Sequence, residues 1–244
     1  MNQVNKQDVP VALVTGAARR IGAAIAQHLH AAGFRVVIHC HQSKAAAQAL
    51  ADELNQLQAD SAKVLMADLN HPGSVKQLLT DTLAWAGRMD LLVNNASLFT
   101  RNEADWDAMF TLNVKAPYLL SHAAYAHLAK THGSIINITD IHAENPLKDY
   151  AIYCQTKAAL SMQTKALARE FAPNIRVNAV APGAIMWPEQ DNQLSEVQQQ
   201  HIIEKTPLKR HGSSLYIAQA VLALAQNIFI TGQTLRVDGG RSIM

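Results

Sequence analysis

Short apolar runs rich in β-branched residues alternate along this chain with longer stretches whose apolar residues recur every three or four positions. The short runs, at 11–15, 35–39, 63–67, 91–94, 134–139 and 176–181, predict buried strands. A last strand, 234–237, follows the turn signal Thr231-Gly232. The longer stretches predict helices at 20–32, 44–57, 73–87, 104–130, 150–171 and 213–226, the fourth dividing near Asn113. Strand–helix alternation at this spacing predicts a parallel sheet covered by helices on both faces, a doubly wound α/β fold. No internal repeat, linker or low-complexity tract interrupts it, so residues 1–244 are expected to form a single domain.

Composition narrows the picture. With 244 residues, 49% hydrophobic and 16% charged, the chain can build a large core and is not a disordered sequence. A net charge of +2 without blocks of like charge gives no reason to expect nucleic acid as a partner. Cys40 and Cys154 form no CxxC and read as free buried thiols of a reducing compartment. The polar first residues lack the apolar run of a signal peptide, and no window reaches the roughly 18 apolar residues of a membrane span, so a cytoplasmic protein without a membrane partner is expected. The 11 histidines show no ligand spacing and predict no metal site; His142 with Glu144 is the one pair of note, and it reads as solvated loop.

Candidate chemistry begins where the first strand ends, in Thr15-Gly16-Ala17-Ala18-Arg19-Arg20-Ile21-Gly22. A glycine-bearing turn between a first strand and a first helix lets backbone approach a pyrophosphate at the helix N-terminus, the mark of a Rossmann-type dinucleotide fold. Arg20 stands where the usual fingerprint has its middle glycine, so Gly16, Arg20, Ile21 and Gly22 are the candidate phosphate-side contacts. NAD enzymes of this fold place an acid at the end of the second strand to hold the ribose 2′-hydroxyl. Here that segment is Ile38-His39-Cys40-His41-Gln42-Ser43-Lys44, and no acid follows until Asp52. Arg20, His39, His41, Ser43 and Lys44 suit a 2′-phosphate instead, which predicts NADPH. Asp68-Leu69 lies at the carboxyl edge where an adenine would rest, and Asn94-Asn95-Ala96-Ser97 and Phe99 end the fourth strand at the same edge.

In 140–157, Asp140 precedes Tyr153 by thirteen residues and Lys157 follows Tyr153 by four. On a helix Tyr153 and Lys157 share a face. A lysine beside a phenol favours the phenolate, and so is expected to lower the tyrosine pKa and make it a usable proton donor near neutral pH. Asp140 must reach the pair from a separate strand.

Taken together, these pieces resemble the short-chain dehydrogenase/reductase family over nearly the whole chain. The matching pieces are Thr15-Gly16 with Gly22, Asp68, Asn94-Asn95-Ala96, Asn113, Tyr153 with Lys157, Pro182-Gly183 and Val237-Asp238-Gly239-Gly240. Two departures from the family pattern are informative: Asp140 replaces its usual serine, and Arg20 the middle glycine. Both substitutions resemble the pteridine reductase branch, as do 15–22, His39-x-His41-x-Ser43, Asn94-Asn95-Ala96-Ser97-x-Phe99 and Asn145-Pro146-Leu147. Gln42 stands where that branch usually has an arginine.

The resemblance implies NADPH-dependent reduction of a pterin or folate in a homotetramer, with the 104–130 and 150–171 helices as contacts. It implies that Lys157 holds the nicotinamide ribose and that Asn113 helps hold a water that recharges the lysine. Asn95, Ala96, Ser97, Pro182 and Gly183 would border the cofactor. Phe99 would stack on the pterin, Ser97 would bond the pterin edge or the cofactor, and Asp140 with Tyr153 would supply the proton. Residues 184–206, with Met186, Trp187 and a glutamine-rich helix, match the family's substrate lid, with Trp187 closing over the ligand. The residues support that substrate independently: an ionised carboxylate beside the tyrosine would repel a developing alkoxide, whereas a ring C=N needs a proton delivered to nitrogen. A reductase of another carbonyl or imine, and a non-catalytic NADP-binding sensor, remain open on these residues.

Overall fold

The computed structural model describes residues 8–187 and 192–243. Seven parallel strands form one sheet: β1 (Val11–Val14), β2 (Arg35–Cys40), β3 (Ala62–Met66), β4 (Leu91–Asn94), β5 (Ser134–Ile138), β6 (Arg176–Pro182) and β7 (Thr234–Val237), in the order β3-β2-β1-β4-β5-β6-β7. The helices are α1 (Arg20–Ala31), α2 (Lys44–Leu57), α3 (Pro72–Ala86), α4 (Trp106–Phe110), α5 (Ala116–Lys130), α6 (Ala151–Phe171), α7 (Glu196–Lys205) and α8 (Ser214–Gln226). The expected strands agree with these to within a residue at each end, as do most of the helices. The exception is 104–130, which holds α4, a π-helical turn (Thr111–Lys115) and α5. Asn113 lies in that π turn. Of the expected lid, residues 188–191 fall outside the described residues.

The period-two alternation of a strand explains why short apolar runs bury completely here. In β1, Ala12 and Val14 join the core under α1, α2 and α8, while Leu13 joins the core under α3, α5 and α6. Ile38 and Leu91 reach the first layer, and Val37, Leu92, Ile135 and Val177 the second. A sheet buried on both faces has no place for an alternating polar side, hence the near-continuous hydrophobic strands.

The strand order reverses between β1 and β4, and the crevice outside their carboxyl ends is where such sheets bind ligands. Side chains stitch this switch point. The Thr15 hydroxyl accepts from the Asn95 and Ala96 amides at 2.9 and 3.0 Å, and Asn95 Nδ2 donates to the carbonyls of Thr15 and Gly16. Deeper in the sheet, Asn94 Nδ2 donates to Asn137 Oδ1 at 2.8 Å, and Asn137 Nδ2 donates to Thr164 on α6 at 2.9 Å. The paired asparagines therefore find their partners within the protein.

Asn137 is fully buried and both ends of its amide are paired, so Asn137→Ala removes the shorter bond of the Asn94 amide, leaving it Ser121 at 3.4 Å, and the donor to the Thr164 hydroxyl, which keeps its bond to the Leu160 carbonyl. The expected loss of stability is about 1–3 kcal/mol, read from the midpoint of urea unfolding. An unchanged midpoint would show that this network contributes nothing.

Candidate active site

Two clefts meet at the carboxyl edge. The first, of about 580 Å³, is lined by Gly16, Arg20, Ile21, Gly22, His39, His41, Ser43, Asp68, Leu69, Asn95, Ala96 and Ser97 among others. It gathers every residue expected there except Lys44. The second, of about 420 Å³, brings together Ser97, Phe99, Asp140, Tyr153, Lys157, Pro182, Gly183 and Trp187. Arg20, Ile21, Asn95 and Ser97 border both.

The first cleft is shaped by backbone that admits no side chain. Gly16 has φ +62°, and a Cβ there would lie 2.9 Å from Cα of Ala96. A Cβ on Gly22 would press on the Gly16 carbonyl oxygen and lie 2.6 Å from Nδ2 of Asn95. Arg20, at the middle position of the turn, has φ +57°, the left-handed region where a residue with a Cβ pays about 1–2 kcal/mol. Its guanidinium crosses towards the second cleft and donates to the Trp187 carbonyl at 3.0 Å. Such a glycine cradle with no filling side chain fits a dinucleotide pyrophosphate.

Two expected cofactor residues act differently from the sequence reading. His39 is 2% exposed: Nδ1 accepts from the Gly16 amide at 3.1 Å and Nε2 faces the Ala67 carbonyl at 3.1 Å. Burial pulls its pKa down to about 4, so the ring is neutral and offers no charge to a phosphate. It fixes the Gly16 turn instead. Asn95 likewise gives its amide to the Thr15 and Gly16 carbonyls. The end of β2 that does face the cleft comprises His41, Gln42 and Ser43, joined by Arg19, which the sequence reading passed over. The Asp68 carboxylate caps its own turn through the Asn70 amide and lies 3.9 Å from His41 and 3.5 Å from His71; these contacts hold its pKa below the usual range.

In the second cleft, Asp140 leaves the end of β5 and starts a short 3-10 turn, Ile141–Ala143. One carboxylate oxygen accepts from the His142 amide at 2.9 Å; the other accepts from the Tyr153 hydroxyl at 2.8 Å. The strand and helix α6 thus deliver the carboxylate to the tyrosine. Lys157 lies one turn further on α6, 3% exposed, and donates to the Ile138 carbonyl at 3.0 Å, with its nitrogen 5.6 Å from the centre of the tyrosine ring.

This geometry reverses the expected tuning. Burial, then the charge of Asp140 and the hydrogen bond to it, hold the Tyr153 phenol well above its ordinary pKa. Burial pulls Lys157 down to about 8, against the charge of Asp140. The lysine is too far from the hydroxyl to outweigh a carboxylate in direct contact. The side-chain amide of Asn113 is fully engaged within the protein. Its Oδ1 accepts from the Ser97 hydroxyl and the Leu98 amide, and its Nδ2 donates to the Leu98 carbonyl and the Thr156 hydroxyl, all within 2.8–3.1 Å. No amide capacity remains for a water, so its side chain positions the 97–98 loop. The π turn that bears it is the local price of aiming it there.

Phe99 reaches the second cleft as part of an aromatic cluster. Tyr150 stacks flat on it at 4.4 Å, and Tyr153 meets it edge-on at 4.7 Å. One face is therefore already covered, which the expectation of a free stacking plate did not foresee. Asn192 pins this loop, accepting from the Tyr150 hydroxyl at 2.7 Å and donating to the Phe99 carbonyl at 3.1 Å. Trp187 lines the same cleft with its ring tilted against His211 at 4.2 Å. Helix α7 follows, opened by a Ser195–Gln198 capping box and without buried residues. Sequence reading missed Tyr150, Asn192 and Arg241 as cleft residues; the Arg-Ser-Ile sequence after the terminal glycine pair was the one available sign of the last. Among the described residues, no group of three or more His, Cys, Asp or Glu converges as a metal site, and no helix is long and apolar enough to cross a membrane.

Fold and site define a dinucleotide-dependent oxidoreductase of the doubly wound class. The comparisons with known proteins agree: the family model described as enoyl-(acyl carrier protein) reductase matches residues 16–242. A 3-oxoacyl-(acyl-carrier-protein) reductase from Escherichia coli is 38% identical, covering 94% of this chain and 96% of its own. The corresponding reductase from Staphylococcus epidermidis is 36% identical, with 94% and 97% covered. Pteridine reductase 1 from Leishmania tarentolae is 35% identical, with 96% of each covered. The chain belongs to the short-chain dehydrogenase/reductase family and is an NAD(P)-dependent oxidoreductase of it.

The neutral, buried His39 makes a pH prediction. Its folded pKa of about 4 lies below its ordinary 6.5, so the unfolded chain binds its proton first as pH falls. Its contribution to stability is complete above pH 6.5 and is lost as pH drops towards about 4. Imidazole NMR shifts should show a histidine still neutral at pH 5 whose resonance His39→Gln removes. A His39 ring titrating at 6.5 would contradict the placement.

Proposed function

We propose that the protein is an NADPH-dependent pteridine reductase, reducing a C=N bond of a dihydropterin or dihydrofolate ring. The observation that carries this reading is the 2.8 Å hydrogen bond from the Tyr153 hydroxyl to Asp140, at the position where the family has a serine. The 35% identity to a pteridine reductase supports it, although the acyl-carrier-protein reductases are as similar overall. The two substrate classes ask opposite things of this position. Ketone reduction develops an alkoxide that needs donors, and a carboxylate within hydrogen-bonding reach opposes that charge. Hydride addition to C=N places the new electron pair on nitrogen, which is strongly basic and takes a proton even from a weak acid.

The cofactor supplies the hydride when bound. The turn at Gly16 and Gly22 would hold its pyrophosphate, Arg19, His41, Gln42 and Ser43 its 2′-phosphate, and Lys157 its nicotinamide ribose. The absence of an acid at the end of β2 favours the phosphorylated form. Tyr153, kept protonated by its surroundings, gives its proton to the ring nitrogen, and Asp140 holds the phenol in place and passes a proton back from the solvent side. Phe99 and Trp187 supply apolar walls for the ring, and residues 184–206 act as the lid. Assembly as a homotetramer belongs to the same reading; Tyr118 and Met162, exposed on α5 and α6, provide apolar contact surface.

Asp140→Ser restores the family's donor and tests the proposal. Pterin turnover should fall by about ten- to ten-thousand-fold, the range of a lost proton relay, while activity on a 3-oxoacyl thioester should rise. Unchanged pterin turnover would remove Asp140 from the chemistry. Cofactor choice is tested separately by Ser43→Asp, which places a carboxylate against the 2′-phosphate. The kcat/KM for NADPH should drop by about tenfold or more while that for NADH holds; equal losses for both would contradict the assigned phosphate pocket.

A further inference from the structure

The second cleft contains a cation that the mechanism above does not use. Arg241 stands on the short C-terminal helical turn, Arg241–Ile243, partly buried and lining the cleft together with Asp140. Its guanidinium makes neither hydrogen bond nor ion pair with any described residue. The turn that carries it is firmly built. The Asp238 carboxylate accepts from the Gly240 amide at 3.0 Å and the Ser242 amide at 2.7 Å, and Gly239 and Gly240 both adopt positive φ. One link ties it to the loop after Asp140, Asn145 donating to the Ser242 carbonyl at 3.3 Å, and the preceding strand β7 is tied to the same loop by the Arg236–Glu144 pair. The structure thus fixes a five-donor guanidinium beside the proton-handling carboxylate, yet gives it no acceptor.

We propose that Arg241 is a substrate-binding and specificity-determining residue, donating to an oxygen acceptor of the substrate while Asp140 faces the substrate's N–H groups. A partly desolvated cation between apolar walls is unfavourable until an acceptor reaches it. An acceptor bonded to a charged donor holds a ligand more firmly than a neutral pair does. Burial lowers the Arg241 pKa while the charges of Asp140 and Asp238 raise it, consistent with a cation held close to the carboxylate without a contact to it. A pterin carries the complementary pattern, N–H donors next to a ring carbonyl; a folate adds side-chain carboxylates, which would accept from the same guanidinium. Arg101 and Lys148 line the same cleft and add to its positive field. This role for Arg241 rests on the pteridine reading only for the identity of the oxygen.

The test is Arg241→Gln, with NADP⁺ bound, titrated with dihydrobiopterin and with dihydrofolate by quenching of tryptophan fluorescence. Loss of a charge-assisted hydrogen bond should raise Kd by about 10- to 100-fold. If both ligands weaken, Arg241 binds the ring carbonyl; if dihydrofolate alone weakens, it binds the carboxylate; both support the proposal. Affinities for both within about twofold of the parent, with NADP⁺ affinity unchanged, would overturn it. Arg241→Lys, which keeps charge and stem, should recover part of the loss; this separates ligand contact from damage to the turn and serves alone if the glutamine variant does not fold. Should the parent protein bind neither pterin, the pteridine reading fails, and Arg241→Gln is then judged on KM for a 3-oxoacyl thioester, whose oxygens are also acceptors. An unchanged KM there sinks the Arg241 proposal too.

Discussion

The hydrogen bond between Tyr153 and Asp140 is the constraint on which the site depends. It requires β5 to end two residues before Asp140, α6 to present Tyr153 one turn before Lys157, and the His142 amide to hold the carboxylate's other oxygen. It also decides the protonation of the tyrosine. A lysine alone would favour phenolate, but the carboxylate in contact with the hydroxyl acts over a shorter distance and prevails with burial. On the proposed reading the phenol, held protonated, is a proton source of low acidity suited to a strongly basic acceptor.

Around it, the two clefts are joined by residues that belong to both. Arg20 adopts a left-handed conformation in the cofactor turn and reaches the Trp187 carbonyl, so that the phosphate side and the wall of the substrate side share one side chain. Thr15, Asn95 and His39 hold the turn rigid through backbone contacts. Asn113 does the same for the 97–98 loop. Much of the polar chemistry at the carboxyl edge thus serves to fix backbone in place, and on the proposed reading the polar groups left to meet ligands are few: Asp140, Tyr153, Lys157, His41, Gln42, Ser43 and the arginines.

The sheet and its helices were legible because a doubly covered parallel strand must be almost wholly apolar: residues 11–14 are, only Asn94 interrupts 91–94, and only Ser134 and Asn137 interrupt 134–138. The same fact carried a warning that the reading of His39 ignored: a histidine inside such a strand is buried, and burial makes it neutral. The lysine–tyrosine spacing was visible, yet its electrostatic outcome depended on where the strand placed Asp140, which spacing along the chain does not encode. The full use of the Asn113 amide depended on a π turn, and Tyr150, Asn192 and Arg241 reach the cleft from the start of α6, from the segment before α7 and from the C-terminal turn, through packing across the whole domain. Position within an element could be read; the partner across space could not.

Whether the proton's destination is ring nitrogen or carbonyl oxygen is the central question, and the substrate preference of the unaltered protein answers it most directly. Oxidation of NADPH is followed with a dihydropterin and, side by side, with a 3-oxoacyl thioester. The account predicts a higher kcat/KM for the dihydropterin. Turnover of the thioester without turnover of the dihydropterin would contradict it.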